Sequence, residues 1–373
     1  MKRIGIMTFL HNDNYGSTLQ AWALQKAVSE MGHQAEHIDY KPSQAEKIRN
    51  LLLSGNSPKL ILEGLRKRAV KAANQGARSK SASFGPFYEQ NMRLSPLCAD
   101  HSALKKQARQ YDLLLSGSDQ IWSPVWLNPA YFLNFAGRKP KVAYAPSLGV
   151  SRMPNQRKAR RIAGLIRSYS AVSVREQEGA RLLEPILGRV PPVMPDPVVL
   201  QTRESWQALA QRPGRKHPYL LCYFIGDDPS YWERVALLAQ KTGLRVKVIP
   251  VTENAYHQPY DLADGLSPQE WLGWLDEAAY ICTDSFHGAT FASILQRPFS
   301  VFRRYKEDDP ESKNSRIDNL MRELGLDTEG EDIPWEQVTS RLASMRQRGL
   351  EWLSTAIDRA LDGPTSTITR ARK

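Results

Sequence analysis

Cysteine is scarce in this chain: Cys98, Cys222 and Cys282 are the only three, an odd number with no CxxC pair. That excludes a disulfide framework and leaves reduced core thiols in a cytosolic protein as the reading. No apolar run approaches the ~20 residues that a membrane-spanning helix needs. The apolar stretch at the start ends at Leu10, before His11-Asn12-Asp13-Asn14, which is too short for a secretory signal. Zinc-finger spacing, an RNP-like motif and a helix-turn-helix are all missing, so nucleic acid is not an expected partner. GxxxxGK[ST], HExxH and GxSxG do not occur, and no GxGxxG follows the first strand. No His/Cys/Asp spacing suggests a metal; the Asp308-Asp309 pair lies in a charged loop beside Pro310. The expectation is therefore a protein with neither metal nor resident cofactor.

Positive charge is what the chain has in excess. Its 373 residues carry a net charge of +12, and 13 Lys and Arg against three Asp and Glu fall between Lys47 and Arg109. Such an imbalance concerns partners rather than fold. An anionic substrate or an anionic membrane surface fits it. Within this stretch Leu60, Ile61, Leu65, Ala69 and Val70 share a helical face opposite Arg66, Lys67, Arg68 and Lys71. That pattern suits a helix on anionic lipid or a solvated surface helix.

The length points to two domains. Ile4–Leu10, a helix with Leu19, Trp22, Ala23, Ala27 and Met31 at helical spacing, and Ala35–Tyr40 read as a βαβ unit. After the basic stretch the alternation resumes with strands at Tyr111–Leu115, Lys141–Ala145 and Ala171–Val174. Four prolines between Arg189 and Leu200 suit a crossover. A second block follows, with strands at Tyr219–Ile225, Arg245–Val251, Ala279–Cys282 and Pro298–Phe302, and a capped helix beginning at Ser267-Pro268-Gln269-Glu270. The expected boundaries are 1–200 for an N-terminal Rossmann-like domain with a basic insertion over 42–109, and 201–362 for a second such domain. The last helix can pack back on the first domain, and 363–373 reads as a disordered basic tail.

Ligands in parallel α/β sheets bind beyond the carboxyl ends of the strands. Polar residues gather at those places: Asn14-Tyr15-Gly16, Gly117-Ser118-Asp119-Gln120, Ser147, Arg175-Glu176 and Thr283-Asp284-Ser285-Phe286-His287-Gly288. The last stretch runs from a buried strand into a helix start, whose free N–H groups favour an anion. Asp284 and Ser285 acting only as caps, with His287 packed, is the competing reading. Arg316, in Asn314-Ser315-Arg316, can grip a carboxylate or phosphate in bidentate fashion, or be a surface arginine.

Taken together and in order, these segments resemble the polysaccharide pyruvyl transferase family. The likeness runs from residue 4 to about 326. It comprises Ile4-Gly5-Ile6 to Asn14-Tyr15-Gly16, Leu19-Gln20-Ala21, Ala23-Leu24-Gln25, Gly117 to Trp122, Tyr131-Phe132-Leu133, Tyr144 to Ser147, Ser173 to Glu176, Asp196-Pro197, Thr283 to Gly288 and Asn314 to Arg316. The resemblance implies a GT-B-like pair of Rossmann-like domains facing across a cleft, with the acceptor on the first and the donor on the second. It also implies phosphoenolpyruvate as donor, a hexose as acceptor, free or linked to nucleotide or lipid, and a pyruvate ketal as product. The donor residues it implies are Arg175, His287 and Arg316, joined by Ser285 and Gly288. His287 and Asp119 are the expected acid and base, and Asn14, Tyr15, Gln120 and Ser147 the acceptor or orienting residues. The chain departs from relatives that read Arg-Leu-His where it has Ser285-Phe286-His287, and so lacks one arginine among the expected phosphate contacts. Polysaccharide synthesis in the cytoplasm, at the inner membrane face, is the implied setting. A GT-B glycosyltransferase using a nucleotide-sugar is the main alternative, and a non-catalytic sugar- or lipid-binding partner is another.

Overall fold

The computed structural model of the chain describes residues 1–53, 81–304, 315–326, 329–330 and 332–363. The expected helix over 60–70, the Asp308-Asp309 pair, Asn314 and the tail after Gly363 lie outside these residues.

The first sheet contains β1 (Arg3–Met7), β2 (Gln34–His37), β3 (Leu113–Ser116), β4 (Lys141–Ala143) and β5 (Ala171–Val172) in the order β2-β1-β3-β4-β5. All four pairings are parallel. The second contains β6 (Tyr219–Tyr223), β7 (Arg245–Val248), β8 (Asp261–Leu262), β9 (Tyr280–Thr283), β10 (Phe299–Val301) and β11 (Glu329–Gly330) in the order β11-β10-β9-β6-β7-β8. Only β11 runs antiparallel, against β10. In each sheet the order reverses beside the first strand, between β1 and β3 and between β6 and β9. Such switch points open a crevice at the strand ends.

The strands end earlier than the apolar runs suggest. β1 stops at Met7 and β6 at Tyr223. Residues 81–109, grouped from charge with a basic insertion, are part of the core. Phe84, Phe87 and Tyr88 of the helix Ser81–Asn91 are buried, and Leu104 and Ala108 of the helix His101–Ala108 pack under the first sheet. The charge count hid these apolar positions.

Two helices tie the sheets together. The helix Tyr15–Glu30 starts at Asn14, whose side chain accepts from the Ser17 N–H. Its residues Leu19, Ala21 and Ala23 pack into the core of the second sheet, while Leu24, Ala27 and Val28 pack into that of the first. The 28-residue helix Trp335–Asp362 is roughly 42 Å long at 1.5 Å per residue. It begins with Val338 and Met345 in the second core and ends with Leu353, Ala356 and Ile357 in the first. No described helix is long and apolar enough to cross a membrane.

Candidate active site

The polar strand ends of the first sheet are stitched side to side. The Ser147 N–H donates to the Asp119 carbonyl at 2.8 Å, and the Arg175 N–H to the Pro146 carbonyl at 3.4 Å. Val174 pairs in turn with the proline-rich crossover: its N–H donates to Pro192, and the Met194 N–H donates back to Val174. This bridge sets Asp196 beside Arg175, so residues far apart in sequence share one cluster.

Asp196 is its centre. Its Oδ2 accepts from Arg175 Nη1 at 2.5 Å and from Ser118 Oγ at 3.3 Å, and lies 3.5 Å from His287 Nε2. Its Oδ1 accepts the Val198 N–H at 3.1 Å. Burial alone would raise its pKa, but His287, Arg175 and the Val198 N–H outweigh burial and hold it well below the usual carboxylate range. The sequence signal for it was the Asp196-Pro197 pair among the four prolines, which read as a crossover rather than a site.

Arg175 is buried and sits 4.8 Å above the Phe286 ring. Asp119 and Glu176 stand 3.7 and 3.9 Å from its Nη2 and Nε. Burial disfavours its charge, yet Asp196, Asp119 and Glu176 together raise its pKa. Arg316, the second residue of the helix Ser315–Leu324, has no carboxylate within 4 Å among the described residues. The Gln120 amide oxygen, turned toward it as those donors require, accepts from both its terminal nitrogens at 2.8 and 2.7 Å. Burial and the nearby Arg175 push its pKa down to about 10, so it stays charged at neutral pH.

His287 enters from the second sheet, near the start of the helix Phe286–Ile294. Ser285 caps this helix, its Oγ accepting the Gly288 N–H at 3.3 Å. The imidazole lies directly against Gly16 of the first helix. A side chain at Gly288 would overlap Thr283, so packing demands glycine there. Asp284, a helix cap in the competing reading, accepts instead the Ile225 and Gly226 N–H groups and Arg304, and so pins β9 to the turn after β6.

Asp119 has φ +68° and ψ −176°, a region almost reserved for glycine. One carboxylate oxygen accepts its neighbour Gln120's N–H at 2.8 Å, and the other accepts the Ser17 hydroxyl. Ser147 donates to Glu176 Oε1 at 2.9 Å. Asn14 is the cap of the first helix. Tyr15 stands apart from the cluster. Its ring stacks on Trp271 and Phe84, its hydroxyl donates to the Leu266 carbonyl at 3.1 Å, and burial raises its pKa.

Four buried nitrogens in this cluster have no hydrogen-bond partner: Arg175 Nε and Nη2, His287 Nε2 and Arg316 Nε. A cavity of about 170 Å³ is lined by Arg175, Glu176, Asp196, Phe286 and Arg316. Among the described residues no group of three or more His, Cys, Asp or Glu could hold a metal.

Two parallel sheets facing across such a crevice define a GT-B-type α/β protein. The sequence profile of the polysaccharide pyruvyl transferase family matches residues 14–304, and the chain belongs to that family. No curated protein sequence matches it. Among solved structures, the UDP-GlcNAc 2-epimerase of Methanocaldococcus jannaschii is 12% identical with a TM-score of 0.53, over 95% of this chain and 100% of that one. The UDP-GlcNAc 2-epimerase of Neisseria meningitidis bound to UDP-GlcNAc is 11% identical with a TM-score of 0.48, over 96% and 100%. At 12% identity the likeness to the first of these concerns the fold alone.

Proposed function

We propose that the protein transfers the enolpyruvyl carbons of phosphoenolpyruvate to a hexose of a polysaccharide or its precursor, forming a pyruvate ketal and releasing phosphate. The observation that carries this reading is the set of unpartnered buried nitrogens on Arg175, His287 and Arg316: Arg175 and Arg316 line one cavity, and His287 Nε2 lies 3.5 Å from Asp196, which lines it too. Buried polar atoms rarely lack partners. A small dianion with a carboxylate at one end and a phosphate at the other would supply acceptors for all four.

Arg316 is the principal anion receptor, because its charge is not already offset by an adjacent carboxylate. Arg175, held by Asp196, offers its remaining Nε and Nη2 edge. His287 gives a proton to the methylene carbon, which leaves a cationic centre at the adjacent carbon for a sugar hydroxyl to attack. Ser285 and Gly288 shape the helix start that carries His287. Asn14, Gln120 and Ser147 hold the surrounding loops.

Phosphate release from phosphoenolpyruvate, assayed against free, nucleotide-linked and lipid-linked sugars, tests the reading. His287→Ala abolishes release; wild-type turnover in that variant removes His287 from the chemistry. A thermal-shift comparison of phosphoenolpyruvate with UDP- and GDP-sugars separates pyruvyl transfer from glycosyl transfer. The basic bias of 13 Lys and Arg from Lys47 to Arg109 supports a peripheral site at the cytoplasmic face of an anionic membrane. Salt-sensitive vesicle binding is the expected result, and absence of binding at low salt dismisses it.

A further inference from the structure

Pyruvyl transfer needs a group to take the proton from each attacking hydroxyl, the part first expected of Asp119. Asp119 has both oxygens engaged, by Ser17 and by the Gln120 N–H. Asp196 has both engaged as well, by Arg175 and Ser118 on one and Val198 on the other. Glu176 differs. Its Oε1 accepts from Ser147 Oγ at 2.9 Å, the Leu148 N–H at 2.9 Å and the Gly149 N–H at 3.4 Å. Its Oε2 is buried with no hydrogen-bond partner; the nearest cation is Arg175 Nε at 3.9 Å. The residue is 3% exposed and lines the same cavity as Arg175, Asp196 and Arg316.

We propose that Glu176, anchored through one carboxylate oxygen, uses the other as the base for the acceptor hydroxyl. The inference rests on the pyruvyl-transfer reading above. An unpartnered buried carboxylate oxygen is costly and persists where a ligand brings a donor. Phosphate and carboxylate bring none and are repelled by it. A sugar hydroxyl is a donor, so Oε2 marks the acceptor side of the crevice. Three donors on Oε1 fix the carboxylate plane, which preorganises Oε2 for proton transfer.

The step balances as follows. The acceptor O–H bond breaks, its electron pair forms the bond to the central carbon of the protonated donor, and its proton passes to Oε2. The second hydroxyl closes the ketal as the carbon–oxygen bond to phosphate breaks. Of the two hydroxyl protons, one restores the proton that His287 gave to the methylene, and the other leaves with phosphate.

Glu176→Gln keeps the size and an oxygen for the Ser147, Leu148 and Gly149 donors while removing the base. Expected results are a fall in kcat of about 100-fold or more, phosphoenolpyruvate binding by calorimetry at least as tight as wild type, and loss of the acidic limb of the kcat/KM profile. Glu176→Ala should regain turnover with added formate. If Glu176→Gln does not fold, Glu176→Asp carries the test: lowered kcat with the acidic limb retained. Wild-type-like kcat in Glu176→Gln overturns the proposal. So does loss of donor binding in Glu176→Ala without formate rescue, which would mean that Glu176 only holds Arg175. If the wild-type protein neither binds phosphoenolpyruvate nor releases phosphate with any acceptor, the underlying reading fails instead, before any variant is made.

Discussion

The His287 side chain lies against Gly16, so closely that a β-carbon at Gly16 would overlap its Nδ1 and Cγ. The first turn of the first helix thus fixes the position of a side chain carried by the second sheet. Gly16→Ala must push the imidazole away or part the two halves. Overpacking of this kind costs about 1–3 kcal/mol, and a displacement near 1 Å lowers turnover about 100-fold. Steady-state kinetics beside a melting curve checks this; an unchanged kcat would mean that the imidazole position does not matter.

Arg316 gives a second prediction. Hydrogen bonds to a charged group contribute about 1.5–3 kcal/mol each. Arg316→Ala should therefore weaken phosphoenolpyruvate binding by roughly tenfold to 150-fold, and it also removes the two hydrogen bonds to the Gln120 amide oxygen, so the melting temperature should fall as well. Arg316→Lys restores only part of this, since a point charge cannot keep the two-pronged contact with Gln120 while offering a third donor to the ligand. Calorimetric titration of the donor measures both.

The main parallel strands of both sheets and the first helix were readable from the sequence because each carries its own apolar period; the helices Ser81–Asn91, His101–Ala108 and Gln177–Leu187 were not. Ser267 caps its helix as expected, with Pro268 at the first position, and Glu270 completes a capping box. The cluster itself was readable in part. Arg175, His287 and Asp119, each just beyond a strand end, come together around Asp196, and Arg316 joins them from a helix start through Gln120. Asp196 and Glu176 were quoted but given no role, because their importance comes from lateral bridges such as Val174 to Val193 that no local pattern encodes. Tyr15 shows the opposite error: a tyrosine between an Asn cap and a Gly near a strand end reads as a ligand contact, yet its ring faces Trp271. Residues 81–109 were hidden by a charge count taken over the whole of 47–109: the helix Ser81–Asn91 that buries Phe84 and Phe87 holds no Lys or Arg, while Leu104 is followed by Lys105 and Lys106.

Tyr15→Phe separates packing from acceptor contact. It removes the hydrogen bond to the Leu266 carbonyl, at about 0.5–1.5 kcal/mol, and leaves the stacked ring. The melting temperature should fall slightly while kcat and the acceptor KM stay within about twofold. A large rise in acceptor KM would return Tyr15 to the site.

Asp196 couples stability to pH. Its carboxylate pKa is depressed in the folded protein, so its stabilisation is fully present above the ordinary value near 3.9. It is lost as pH falls through the lower folded-state value. Asp196→Asn keeps an acceptor oxygen but removes the charge that faces Arg175 at 2.5 Å, at a cost of up to about 3–5 kcal/mol, part of it offset by Asp119 and Glu176. Urea unfolding of wild type and variant should show a gap that is constant at neutral pH and narrows below about pH 4. A gap independent of pH down to acid unfolding would contradict the ionised pair.

Asp119 combines a strained backbone with a carboxylate that two donors hold. At φ +68° and ψ −176°, an aspartate costs about 1–3 kcal/mol relative to glycine. Asp119→Gly removes the strain and the carboxylate together, whereas Asp119→Ala removes the carboxylate and keeps the strain. The glycine variant should therefore melt at the higher temperature of the two. Both free the Ser17 hydroxyl and take one carboxylate from beside Arg175, so both should bind phosphoenolpyruvate at least as tightly as wild type. If Glu176 is the base, neither loses the acidic limb of the pH profile. Loss of that limb in both Asp119 variants would assign the base to Asp119 after all, and would make the strained backbone part of how that carboxylate is aimed.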